Sequence, residues 1–382
     1  MARDESLDLE AARERFEGST DFTQAVEEEF AILDPETLDL AHGFERMFRE
    51  AQSDPILADS VRGELIDTEI EIRSGRSETF AELRDRQRQR RRLLFDLADR
   101  HGRALASWGT HPWANYLDQA IIDTPHYRRL RAELGWVAQR NNTWSLHVHV
   151  GVRGADRAIA VCDHLRQVLP TLLAISANST FLDRNDTALH SVRSQIFTRM
   201  FPRCGIHEPF GDWSTYAEFV DLLERTDSIV ESTQLWWSVR PHHSFGTVEV
   251  RICDAQTDGD ESFALAGLMI ASVAQAALDF DAGTLTAPLA GRQIEENLWR
   301  AIRHGLDGRM IDFDRGVEIP TMEAVDRLLE WTAPARGQLG IELGPIGPNG
   351  AQRSRAALAA GSTIEEIYRA GVERTRATYE SG

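Results

Sequence analysis

The sequence predicts one α+β domain, with strands and helices interleaved irregularly around an antiparallel sheet. Three observations lead there. Several short stretches alternate apolar with polar or charged residues; other stretches carry apolar residues at helical spacing; and no internal repeat or long linker divides the 382 residues. The strand-like stretches fall between Phe22 and Asp254, and residues 255–382 read as a mainly helical part of the same domain.

The opening, "MARDESLDLEAARERFEG", reads as an acidic helix and lacks an apolar leader core. "QAVEEEFAIL" is the first strand, with Glu27 and Glu29 on one face and Val26, Glu28 and Phe30 on the other. Taken alone it reads as an edge strand whose charges face water. "GELIDTEIEIRSG" alternates from Ile66 through Ile70 to Ile72 as a second strand. "AELRDRQRQRRRLLFDLADRHGRALA" has helical spacing at Leu83, Leu94, Leu97 and Leu105, and its arginines read as a solvated face or a clamp for acidic neighbours. "TWSLHVHVGV" is a further strand. "ADRAIAVCDHLRQVLPTLLAISANS" is an apolar helix that Pro170 should kink. "FGTVEVRICD" is a late strand and "DGDESFALAGLMIASVAQAALDF" a buried helix. "GQLGIELGPIGPNG" is loop, and a capping box from Ser362 to Glu365 opens the C-terminal helix.

The bulk composition excludes several functions. A net charge of −19 argues against a nucleic-acid binder and against an anionic membrane surface. All 42 basic residues are arginine, so no Schiff base and no lysine acid or base is available. Cys162, Cys204 and Cys253 are far apart and form no thiolate metal spacing. No apolar run reaches the length of a membrane span, and the cytoplasm is the expected compartment.

The strands carry acids and imidazoles where a plain core would have Val or Ile. Glu27 and Glu29 share a face, Glu64 and Glu71 flank the second strand, His147 and His149 share a face of "LHVHV", and Glu249 and Arg251 share a face of "VEVR". Each alone has an ordinary structural explanation; together they describe a site on a sheet face. Hard oxygen donors with one or two imidazoles suit Mg²⁺ or Mn²⁺ better than zinc or copper. Such ions accompany phosphates, and Arg193, Arg240 and Arg251 are the candidate forks for phosphate oxygens.

With these residues in view, "AVEEEFAIL", "GELIDTEIEIRSG", "GTHPWA", "SLHVHVGV", "ANSTFLDRNDT" with "SVRSQIF", and "VRPHHSFGTVEVRICDAQ" resemble the ordered motifs of glutamate-cysteine ligase type 2, the carboxylate-amine ligase family. A similar tail surrounds "NGAQRSRAALAAG". The resemblance implies a glutamine synthetase-like catalytic domain, a funnel of curved antiparallel strands flanked by helices. It implies that Glu29, Glu64 and Glu71 hold one ion and Glu27, His147 and Glu249 another. His149 would lie near the transferring phosphate, Arg251 would contact phosphate oxygens with Arg193 as a further clamp, and Glu28 would point away as a structural residue. The implied chemistry uses ATP and Mg²⁺ or Mn²⁺: the γ-carboxylate of L-glutamate takes a phosphoryl group, and L-cysteine or another amine displaces it, with no enzyme nucleophile. Guanidino kinases share the glutamine synthetase fold but lack this distribution of carboxylates. A silent binding module and a metal-dependent hydrolase are the other readings, the latter leaving the arginines without a role. A homo-oligomer is left open. Where relatives read an aromatic and a small residue, "FLDRNDT" has Leu182 and Arg184, which bears on the acceptor amine if that segment shapes its pocket.

Overall fold

The structure, a computed structural model, describes residues 7–381. Of the charged opening, residues 1–6 lie outside the described residues, and the rest forms the helix Leu9–Glu17, capped by the Asp8 carboxylate on Ala11 N at 2.8 Å. Seven strands form one sheet: β1 Gln24–Leu33, β2 Val61–Arg62, β3 Glu69–Arg73, β4 Ala104–Ala106, β5 Ser145–Gly151, β6 Val239–His242 and β7 Thr247–Asp254. The order is β6-β7-β5-β1-β3-β2, with β4 paired to the far half of β1, and every pairing is antiparallel.

Strand β1 therefore lies in the interior of the sheet, bonded to β5 on one side and β3 on the other, which overturns its reading as an edge. Its acids are tolerated there because basic partners stand beside them, Arg91 beside Glu28 and Arg73 and His149 beside Glu27. On one face Val26, Val148, Val150, Val248 and Val250 are at most 1% exposed and join the main hydrophobic core. That core is closed by the helices Ala155–Leu165 and Gly259–Ala282. The latter has the length and apolarity of a membrane span, yet its apolar window is 78% buried against the sheet and neighbouring helices, so it serves as a core helix. Pro170 acts as expected: the chain breaks between Leu165 and Leu169, and the two helices meet at 60°.

Glu28 points into this packed face. Arg91, from the helix Phe80–Arg100, donates Nε to Glu28 Oε2 at 2.7 Å and Nη2 to Oε1, Gln87 Nε2 donates at 2.8 Å, and the Ser262 hydroxyl donates to Oε1. The guanidinium lies between the rings of Phe263, 3.8 Å from the centroid, and Tyr379, 4.4 Å away. One residue of the Arg-rich helix is thus the clamp for an acid that the sequence suggested.

Several boundaries differ from the sequence reading for local reasons. Ile66 makes only an isolated bridge to Ile121, and the second strand begins at Glu69. Leu105 belongs to β4, because the helix stops at Arg100 and the chain turns at Gly102 (φ 62°). The C-terminal capping box is one residue later than read: Thr363 N donates to Glu366 Oε2 at 2.8 Å and Glu366 N to Thr363 Oγ1 at 3.2 Å. Both Ser362 and Thr363 have Glu three residues on, so spacing alone did not choose. The helix Ala333–Leu339 takes the start of the Gly/Pro loop and ends on left-handed Gly340.

Candidate active site

The strand register assembles the charged residues row by row on the face opposite Glu28. Arg240 pairs with Glu249 across β6 and β7, and Glu249 with His149 across β7 and β5. His147 and Arg73 both oppose Glu27, and Glu71 opposes Glu29. In β3 the same alternation adds Glu69 while Ile70 and Ile72 point into a hydrophobic core. These side chains line a cavity of about 390 Å³. A second cavity of about 480 Å³ shares Glu27, Arg73, His149, Ser244 and Phe245 with it, so two compartments meet at the Glu27–His149 wall.

Individual contacts give each residue a position. The Ser145 hydroxyl lies 2.7 Å from Glu29 Oε2 and 2.7 Å from His147 Nε2, which leaves His147 Nδ1 3.4 Å from Glu27 and 3.9 Å from Glu29 without a hydrogen-bond partner. His149 Nδ1 meets Thr247 Oγ1 at 3.0 Å, and its Nε2 faces Glu27 at 3.5 Å and Glu249 at 3.9 Å. Arg73 bridges Glu27, at 3.1 Å, and Glu71.

Charge is distributed unevenly along this face. Burial and the neighbouring Glu71 raise Glu29 to about 7, and burial with Glu29 raises Glu64 to about 7. Burial and adjacent carboxylates also push Glu69 and Glu71 well above the usual range. Glu27 and Glu249 go the other way. Burial opposes their ionisation, but His149 and Arg73 around Glu27, and Arg240 and Arg251 around Glu249, hold both well below the usual range. His147 is driven down to about 3 by burial and by Arg251, so its imidazole is neutral and its Nδ1 can serve as a ligand.

Arg240 and Arg251 both grip Glu249, Arg240 from Nε at 2.6 Å and Arg251 from Nη1. Arg240 is further fixed by the carbonyls of Thr233, at 3.1 Å, and Leu235, at 2.6 Å, whereas Arg251 lines the cavity with its Nε unpartnered. Arg193, at the start of the helix Val192–Met200, donates to Ile252 O at 3.0 Å and lies 3.4 Å from Asp254 Oδ1. Asp254 in turn accepts from Asn178 N at 2.9 Å, Ser179 Oγ at 2.7 Å and Ser191 Oγ at 2.9 Å. The "ANST", "SVRS" and "ICDA" motifs thus meet in one buried network that positions Arg193 at the cavity wall.

Two triads have donor atoms within 4.8 Å of one another: Glu27, His147 and Glu249, and Glu29, Glu71 and His147. Buried carboxylates that repel each other beside a neutral, unpartnered imidazole nitrogen fit a hard divalent cation. The first triad is the set the resemblance implies. In the second, His147 stands where Glu64 was expected; Glu64 is half-buried on the loop after β2 and hydrogen-bonded to Glu71, outside both triads. Sequence reasoning missed Glu69, Arg73 and Ser145. The first two were legible as the same face of "EIEIR"; a serine at the head of a strand carried no signal.

The segment "FLDRNDT" does not line the cavity. It forms a two-stranded hairpin, Phe181–Leu182 with Asn185–Asp186, and Arg184 is exposed, 3.7 Å from Glu365. Of the two residues that depart from the family pattern, Arg184 therefore falls on the surface and Leu182 is half-buried in the hairpin.

The chain is similar to several known proteins. The family described as glutamate-cysteine ligase family 2 matches residues 24–347. A protein of Rubrobacter xylanophilus named "Putative glutamate--cysteine ligase 2-2" is 38% identical over 367 residues, 95% of this chain and 94% of that one. One of Solibacter usitatus, named "Putative glutamate--cysteine ligase 2", is 35% identical over 82% of this chain and 81% of that one. Among solved structures, a bifunctional glutathione synthetase from Pasteurella multocida superposes with a TM-score of 0.68 at 12% identity, covering 97% of this chain but 54% of that one. A glutamate-cysteine ligase from Francisella tularensis in complex with AMP gives 0.64 at 11% identity, covering 95% and 89%. These two share the fold. The sequence matches go further: the chain belongs to glutamate-cysteine ligase family 2.

Proposed function

We propose that the protein is an ATP-dependent ligase that activates the γ-carboxyl group of glutamate as an acyl phosphate and joins it to an amine; cysteine is the acceptor that the names of its relatives carry. The observation that supports this most directly is the pair of donor triads on the same sheet face as the free Nε of Arg251. Glu27, His147 and Glu249 would hold one divalent cation, and Glu29 and Glu71, with His147 or Glu64, a second. A bound cation supplies Lewis-acid polarisation of phosphate oxygens and offsets charge on the transferring group.

The chain's own residues do the rest. Arg251 presents a guanidinium to phosphate oxygens, and Glu249 aims it while Arg240 anchors Glu249 from behind. His149, held by Thr247, faces the gap between Glu27 and Glu249, beside the transferring phosphate. The two cavities meeting at that wall suit a reaction between substrates that enter from different sides. The test is phosphate release from ATP with Mg²⁺ and glutamate, with and without cysteine, with the product mass determined in the same tube. Release that requires glutamate and an amine, with a γ-glutamyl amide mass, supports the reading. Silence with glutamate and every amine overturns it in favour of a binding module.

A further inference from the structure

The end of the first cavity beyond the carboxylates is apolar. Leu130 and Leu134 reach it from the helix Pro125–Leu134, Phe197 and Phe201 from the end of the helix Val192–Met200, and Trp236 from the short strand before β6. None of the five belongs to any of the three hydrophobic cores. Three of them pack together, with the Phe197 and Phe201 rings 5.0 Å apart and Phe201 and Trp236 6.2 Å apart, and all five but Phe201 stay part-exposed. Apolar side chains left out of every core, yet gathered on one wall of a polar cavity, are arranged to bury something apolar. Neither a phosphate nor glutamate offers such a surface, and the adenine of ATP has the second cavity, across the Glu27–His149 wall, open to it.

We propose that the acceptor amine carries a bulky apolar side chain, branched or aromatic, that packs against Leu130, Leu134, Phe197, Phe201 and Trp236, and that such amines outcompete cysteine. This rests on the ligase reading of the same site. Cysteine's single CH₂–SH reaches only part of this wall, and one methylene in an apolar pocket already discriminates about tenfold or more. In the step itself the neutral amine nitrogen forms the new C–N bond with the acyl carbon, the C–O bond to the phosphoryl group breaks, and phosphate departs with one N–H proton. The apolar wall acts by fixing the side chain, and so the nitrogen, against that carbon.

The experiment compares hydroxylamine, cysteine, leucine and phenylalanine as acceptors with ATP, Mg²⁺ and glutamate. Hydroxylamine needs no side-chain pocket and reports acyl phosphate formation as the hydroxamate. The expected result is hydroxamate formation together with kcat/KM at least about tenfold higher for leucine or phenylalanine than for cysteine, and a fall of about tenfold in the phenylalanine-to-cysteine ratio in Leu134→Ala and Phe197→Ala. Hydroxamate with cysteine equal or better overturns the proposal and leaves the ligase reading intact. No hydroxamate and no amide with any amine overturns both. A ratio unmoved in both variants, or a raised KM for ATP in place of a moved ratio, overturns the assignment of the wall.

Discussion

Glu28 and Arg91 form a buried pair on the opposite side of β1 from Glu27 and Glu29, their side chains 3% and 1% exposed. Burial disfavours the Glu28 charge, but Arg91 outweighs it and holds the carboxyl below the usual range. The pair therefore stabilises the fold above the ordinary carboxylate pKa, and that contribution is lost as pH falls through the depressed value.

Removing one partner strands the other charge. Glu28→Gln should cost about 3–5 kcal/mol in denaturant unfolding, while the double change Glu28→Leu with Arg91→Met recovers most of it. Activity per folded molecule should change little in Glu28→Gln at temperatures below its transition. An unchanged unfolding midpoint would show that the pair contributes nothing.

Without divalent cations the other face should behave oppositely. Glu29 rises from 4.5 to about 7 in the folded chain, which then holds a proton the unfolded chain has released. Stability contributed there is complete below about pH 4.5 and lost as pH rises to 7, an amount on the order of 3 kcal/mol. In chelator, Tm should fall between pH 5 and 8; Mg²⁺ should flatten that fall, and Glu29→Gln should reduce it while abolishing turnover. A Tm that rises over this range in chelator would contradict the crowding of Glu29, Glu64, Glu69 and Glu71.

Ser145 holds Glu29 and His147 at once, so its loss should loosen both triads. Ser145→Ala should raise the Mg²⁺ concentration for half-maximal turnover by about tenfold or more, the usual effect of losing a ligand's supporting hydrogen bond. Titrating Mg²⁺ at saturating ATP and glutamate checks it, and an unchanged midpoint would assign the serine to packing alone.

Arg184 is exposed on a hairpin that does not line the cavity. Arg184→Ala should therefore leave acceptor preference within about twofold of the parent, as measured by competing two amines in one reaction and weighing the products. A larger change would bring the hairpin back into the acceptor pocket.

The sequence made the sheet face legible because period-two alternation places Glu27 with Glu29 and Glu249 with Arg251 whatever the tertiary context. It did not reveal that β1 is interior, since that depends on β5 and β3 arriving from more than a hundred and about forty residues away in the chain. Glu69 was missed because the alternation was traced through its isoleucines. The apolar wall was illegible for a different reason. Leu130, Leu134 and Phe197 sit on helices and Phe201 just past one, at ordinary amphipathic spacing, and only their absence from the packed cores separates them from core residues.

Tyr379 lies in the C-terminal helix, yet its ring stacks on Arg91 and its hydroxyl donates to Gln256 O at 2.7 Å. The sheet behind the donor triads is thus buttressed by a helix far along the chain from β1. In chain order β1 comes early, but the cover over its Glu28 anchor comes from a helix that follows every strand of the sheet. A chain cut before Tyr379 would carry every residue of the donor triads and still lack this cover over the Glu28–Arg91 pair.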